Sequence, residues 1–153
     1  MAARDNASAA PEAPTMEVTR VFDAPRRLVF EAWTRPEHLV RWWGPKGFTL
    51  PTCEVDFRVG GAYRMVMRAP DGTDHGFGGV YTEIVPPERI VFTALIDGSP
   101  ERELVTTATF EERDGKTTLT VRQTAPASPD HARGQRQGWT EQLARLADFL
   151  VQR

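Results

Sequence analysis

The sequence predicts a single α+β domain in which a curved antiparallel sheet and a long C-terminal helix enclose an apolar pocket. Three observations lead there. Strand-length alternations separated by turn dipeptides fill the middle of the chain, two short helical patterns follow the first strand, and one long amphipathic pattern closes the chain. The length of 153 residues suits one core, since a domain of this size buries about 70% of the surface its unfolded chain exposes.

Residues 1–15, MAARDNASAAPEAPT, hold too little apolar surface to offset chain entropy and are expected to form a disordered tail. They contain no continuous apolar stretch, and Asp5 and Glu12 argue against an organelle-targeting segment. The domain is expected over 16–153. Met16 to Phe22 alternates Met16, Val18 and Arg20 with Glu17, Thr19 and Val21, a strand ended by Asp23. Asp23-Ala24-Pro25 supplies a cap and a first-turn proline for a short helix carrying Leu28, Val29, Ala32 and Trp33 at helical spacing. Thr34-Arg35-Pro36 repeats that grammar for a second short helix, with Leu39, Trp42 and Trp43 apolar and Gly44-Pro45 as its stop.

From Cys53 the pattern is that of a β-meander punctuated by Gly60-Gly61, Asp71-Gly72, Pro86-Pro87, Asp97-Gly98 and Asp114-Gly115. Cys53, Val55 and Phe57 alternate with Glu54, Asp56 and Arg58, and Tyr63, Met65 and Met67 alternate with Arg64, Val66 and Arg68. Further strands are expected near 76–85, 89–96, 103–111 and 117–124, the first two apolar on both parities, so that their inward faces are open. Ser128-Pro129-Asp130 starts a helix that runs to the end. Trp139, Leu143, Leu146 and Leu150 form its apolar stripe, which backward reaches Ala132, Gln135 and Arg136; with Ala132, Gly134 and Gly138 small, a gap between helix and sheet is expected there.

Composition narrows the function classes. The chain is 40% hydrophobic and 26% charged with net charge −2, and no run approaches the ~18 apolar residues of a membrane span. Lys46 and Lys116 are its only lysines, and its arginines are interspersed with acids rather than gathered into a stripe, which argues against a nucleic-acid partner. One cysteine, Cys53, excludes an intramolecular disulfide and fits a cytoplasmic setting; on the apolar parity it reads as an inert thiol. No nucleophile elbow, phosphate loop, dinucleotide fingerprint or metal-ligand spacing is present, so no catalytic residue, metal or cofactor is expected.

Six motifs carry a family resemblance: Arg-Val-Phe-Asp-Ala-Pro (20–25), Val-Phe-Glu-Ala-Trp-Thr (29–34), Arg-Trp-Trp-Gly-Pro (41–45), Asp-Phe-Arg-Val-Gly-Gly (56–61), Glu-Ile-Val-Pro-Pro-Glu-Arg-Ile (83–90) and Gly-Trp (138–139). In order and spacing they resemble the SRPBCC, or START-like helix-grip, superfamily. More narrowly, the chain is similar to the bacterial branch related to the C-terminal domain of the activator of the heat-shock-90 ATPase. The resemblance implies a helix-grip fold, with a curved sheet of six or seven strands around the last helix, two short helices after the first strand, and a hydrophobic cavity. It does not imply one activity, because the superfamily holds lipid and hormone binders, cyclases, oxygenase subunits and co-chaperones.

The expected function is therefore binding of a small hydrophobic or amphipathic molecule, with ligand-contacting candidates on each wall. From the second helix these are Trp42 and Trp43, although adjacent helical residues cannot both point one way. From the strands they are Phe57, Tyr63, Met65, Met67, Phe77 and Phe92, a set that ordinary core would also produce. Gln135 and Trp139 come from the last helix. The alternatives are a cavity enzyme of cyclase, dehydratase or hydrolase type using His75, His131 or a buried carboxylate, and a co-chaperone-like partner role. His38 reads as solvated. A chaperone partner is not expected, and a homodimer through an edge strand or Trp43 stays open.

Overall fold

The computed structural model describes residues 16–124 and 129–152, including their side chains except at 99–102 and 129–132. Strand β1 (Met16–Phe22) is followed by helices α1 (Arg26–Glu31) and α2 (Pro36–Trp42). Strands β2 (Thr49–Val55), β3 (Ala62–Arg68), β4 (Asp74–Val85), β5 (Arg89–Ile96), β6 (Ser99–Arg113) and β7 (Lys116–Thr124) come next, then α3 (Pro129–Gln152). They form one seven-stranded sheet in the order β1-β7-β6-β5-β4-β3-β2, antiparallel throughout. Six strands thus form a meander, and β1 closes it by lying against β7 with Val18 opposite Val121. The helix-grip fold expected from the resemblance is the fold observed.

Local departures from the expected elements have physical reasons. Strand β2 begins at Thr49, ahead of the expected Cys53, and runs through Pro51. It is an edge strand, so the missing proline N–H removes no ladder hydrogen bond, and the register with β3 shifts between Thr49 and Thr52. It also stops at Val55, because the chain turns over Asp56–Arg58, where Gly61 N donates to Arg58 O and Arg58 grips the Asp56 carboxylate. Helix α1 has Pro25 as its cap residue and no side-chain cap. Its Arg26 N–H donates instead to Glu112 of β6 at 2.9 Å.

Of the two strands with apolar residues on both parities, the first resolves through an irregularity and the second by simple alternation. In β4, Phe77 and Tyr81 are buried, a register shift against β5 falls between Tyr81 and Glu83, and beyond it the inward residue is even-numbered, Ile84. In β5 the even residues Ile90, Phe92 and Ala94 face inward. The outward face carries charge pairs, including a two-bond Arg64–Asp97 pair and a two-bond Arg68–Asp74 pair.

The C-terminal half of α3 anchors the helix through buried Leu143 and Leu146, with Leu150 partly buried beside them. Next to them, α1 and α2 contribute an indole cluster. Trp33 stacks on Trp139 with ring centres 5.9 Å apart, and Trp42 donates its indole N–H to Ala32 O at 3.0 Å. Among the described residues, no helix is long and apolar enough to cross a membrane.

Candidate functional site

Beneath the first half of α3, helix and sheet separate to leave a cavity of about 640 Å³. Its roof is one stripe of the helix, Gly134, Gln135, Gly138, Trp139 and Gln142, at the three- and four-residue spacings that bring side chains to one face. Its floor comes from alternate residues of adjacent strands: Phe92, Ala94 and Ile96 of β5, Leu104 and Thr106 of β6, and Gln123 of β7. Met67 of β3 with His75 and Phe77 of β4 makes one side, and Trp43 with Pro45 closes the end.

The space exists because the helix leaves it unfilled. A Cβ built on Gly134 meets nothing within 4 Å, and one on Gly138 meets only Pro45 Cγ, at 3.7 Å. The end wall is held in place by two groups of α3. Arg145 Nη1 donates to the carbonyls of Trp43, Gly44 and Pro45 at 3.3, 2.9 and 3.1 Å. Burial lowers the pKa of this guanidinium from its ordinary value. Gln142 Oε1 accepts the Gly44 N–H at 2.9 Å. Gly44 sits at φ +102°, a conformation that L side chains rarely adopt, and this lets the chain leave α2 sharply toward the cavity wall.

Polar atoms on the lining are few. Gln123 Nε2 donates to Thr106 Oγ1 at 2.9 Å, a pair buried in the floor. Gln142 Nε2 and Gln135 Oε1 are buried with no hydrogen-bond partner among the described residues. No Asp, Glu, Lys or Arg is among the described lining residues, and His75 is exposed.

Of the residues expected to contact a ligand, Trp43, Met67, Phe77, Phe92, Gln135 and Trp139 come together on this cavity. Trp42, Phe57, Tyr63 and Met65 lie elsewhere. Trp42 is fully buried, its ring 5.3 Å from that of Trp43 and its indole N–H on Ala32 O. Phe57 lies at the other end of β3 from Met67, against Phe30 and Tyr81. Tyr63 and Met65 share the inward face with Met67 but are covered by Trp43 and Leu39, lining a void of only about 10 Å³. The Tyr63 hydroxyl donates to Thr93 O at 2.6 Å. Burial pushes the Tyr63 and Tyr81 phenols well above their ordinary pKa, and they stay protonated.

The histidines separate similarly. His75 is at the cavity mouth beside Phe48, and His38 packs on Phe149 away from it. The side chains of His131 and Ala132 are not described, and the tail over 1–15 is outside the described residues. Sequence reasoning missed the apolar Pro45, Ala94, Ile96 and Leu104 and the polar Thr106, Gln123 and Gln142. Gln142 continues the Gln135–Trp139 stripe by three residues, Thr106 interrupts the apolar inward parity between Leu104 and Phe110, and Gln123 follows Leu119 and Val121 on the inward parity of β7.

Comparison with known proteins follows the same outline. The family model for activator of Hsp90 ATPase homolog 1-like proteins matches residues 23–151. A crystal structure of a Chromobacterium violaceum protein superposes with a TM-score of 0.76 at 36% identity, covering 87% of this chain and 94% of that one. The AHSA1 protein from Silicibacter pomeroyi gives 0.80 at 25% identity over 89% and 96%. DynU16, of the dynemicin biosynthetic locus, gives 0.71 at 25% identity over 89% of this chain and 46% of its own. No curated protein sequence matches significantly. With nearly the whole domain matched in sequence and the same sheet wrapped on the same helix, the chain belongs to the activator of Hsp90 ATPase homolog 1-like family.

Proposed function

We propose that the protein binds a small, mainly apolar molecule in the cavity under the first half of α3. The observation that carries this reading is a space of about 640 Å³ walled by Trp43, Phe77, Phe92 and Trp139. Ligand pockets run from roughly 300 to 1,000 Å³ and combine such walls with a few polar groups. Protein interiors ordinarily close up, and cavities cost stability, so an open one of this size is consistent with an occupant. Membership in a family of helix-grip proteins adds support without naming the ligand.

Titration with N-phenyl-1-naphthylamine, a neutral fluorophore, tests the reading. Saturable one-to-one enhancement with quenching of indole emission is expected, because Trp43 and Trp139 line the cavity. Gly138→Leu, which projects a side chain into that space, is expected to abolish it while circular dichroism stays unchanged. Non-saturable binding, or binding indifferent to Gly138→Leu, would refute the proposal.

One observation favours a second reading. Among the described lining residues His75 is the only titratable one, and it stands at the mouth, where it could exchange protons with a bound molecule. His75→Asn that keeps ligand affinity but stops conversion of that ligand would establish a cavity enzyme. Unchanged ligand recovered after long incubation with the wild type would remove it.

A further inference from the structure

We infer that the ligand is a neutral, flat molecule bearing a hydrogen-bond acceptor that seats on Gln142 Nε2. This rests on the reading that the cavity holds a ligand. Gln142 is only 5% exposed, and its amide orientation is set by the backbone, since Oε1 accepts the Gly44 N–H at 2.9 Å. The remaining end of the amide, Nε2, is a donor with no acceptor among the described residues. A buried donor left in this state carries an uncompensated desolvation cost, and an acceptor brought by a ligand removes it.

Chemistry and shape restrict the ligand further. Without Asp, Glu, Lys or Arg among the described lining residues, a carboxylate or ammonium would shed its hydration with no opposite charge to meet it. Trp43 lies edge-on to Trp139, with ring centres 5.4 Å apart, and near-parallel to Phe77 at 25°. Aromatic walls of this kind favour stacked rings. A carbonyl oxygen, an ether oxygen or a ring nitrogen on a fused-ring hydrocarbon satisfies all three conditions.

Fluorene and 9-fluorenone differ only in a carbonyl and so isolate the inferred bond. In a wall without a free donor, fluorenone would bind more weakly than fluorene, because its oxygen would be desolvated without compensation. With Gln142 Nε2 available, fluorenone is expected to bind roughly tenfold more tightly than fluorene by calorimetry or tryptophan quenching. The ratio of the two constants is expected to fall to one or below in Gln142→Met, which offers no donor. The infrared carbonyl stretch of fluorenone bound to the wild type is expected below its value in hexane, a readout that needs no variant. Fluorene-2-carboxylate is expected not to compete.

Fluorenone binding no tighter than fluorene, a preference that survives Gln142→Met, a stretch at the hexane value, or tight binding of the carboxylate would each overturn the inference. If fluorene binds saturably without a fluorenone preference, the cavity-binding reading stands and this one falls. If neither binds, both fall.

Discussion

Replacing Gly134 and Gly138 with alanine should make the protein more stable. Both lie inside α3, where glycine costs about 0.8–1 kcal/mol relative to alanine through the backbone freedom it loses on folding. The usual objection to such a change is crowding, and here it does not apply. The added methyl meets nothing within 4 Å at Gly134 and only an ordinary 3.7 Å contact with Pro45 at Gly138. The two sites lie one turn apart on the same helix face, so about 2 kcal/mol for the double variant is an upper limit that full addition would reach. For a domain of this size, about 2–4 °C per kcal/mol places that limit at roughly 4–8 °C in Tm. Urea unfolding followed in parallel by tryptophan emission and helical circular dichroism would measure it. A neutral or negative change with coincident transitions would refute the reasoning, showing that the helix does not hold these glycines as described. A positive result would show that α3 forgoes available stability at the positions that keep the cavity open.

Other substitutions probe the walls and the core. Trp42→Ala removes a fully buried indole and its bond to Ala32 O, and should cost about 3–5 kcal/mol in urea unfolding. Arg145→Met leaves the carbonyls of Trp43, Gly44 and Pro45 without their charged donor, and should cost about 1–3 kcal/mol while weakening ligand binding; Arg145→Lys should restore part of the loss, because all three bonds come from the single nitrogen Nη1 and an ammonium carries three donors. Burial pushes the Cys53 thiol to about 11 from its ordinary 9.0, so its thiolate fraction near neutrality is roughly a hundredfold lower. Its reaction with Ellman's reagent at pH 8 should be correspondingly slow, rising to the rate of a free thiol in urea. The Asp74 and Asp97 carboxylates are held below their ordinary pKa, first by hydrogen bonds from Arg68 and Arg64. A lowered native pKa gives stability that is present above the unfolded value, near pH 4, and lost as pH falls through the native one. Acid unfolding below pH 4 should therefore begin at higher pH in Asp74→Asn/Asp97→Asn than in wild type at matched salt, the starting stabilities being measured at pH 7.

How far the site could be read in advance depended on the range of the interactions involved. Alternation within a strand is local, and it placed Met67 and Tyr63 on one inward face correctly. Only α2 decides which of them is covered, because Leu39 and Trp43 descend over the Tyr63 end and leave Met67 open. The helix stripe was legible through Trp139 and Gln135, whereas Gln142 acquires its meaning from Gly44, which is 98 residues away in sequence. The inward face of β4 was undecidable from parity because the register shift near Tyr81 exchanges one parity for the other within that strand, whereas in β5 the outward Val91 and Leu95 are as apolar as the inward residues. Pro51 hid the start of β2 for a related reason: proline argues against a strand until the strand is known to be an edge.

The arrangement of α3 also separates what sets ligand size from what sets ligand chemistry. Gly134, Gly138 and, across the space, Ala94 determine how much room there is, and each could be enlarged without touching a hydrogen bond. Gln142 acts differently, because one end of its amide belongs to the architecture and the other to the cavity. Its Oε1 helps to hold the Gly44 segment, and with it Trp43 and Pro45, against the helix that Arg145 clamps one turn further on. A substitution that retuned the donor would therefore also loosen the end wall, while one that retuned volume would not. Relatives with this fold should accordingly differ in ligand size through the small positions at lower cost to stability than in ligand polarity at the position of Gln142. Parallel binding and unfolding curves for Ala94→Val and Gln142→Met would show the difference directly. The first should shift affinity for larger probes with little change in urea midpoint, and the second should move both. Equal losses of stability in the two variants would remove the distinction.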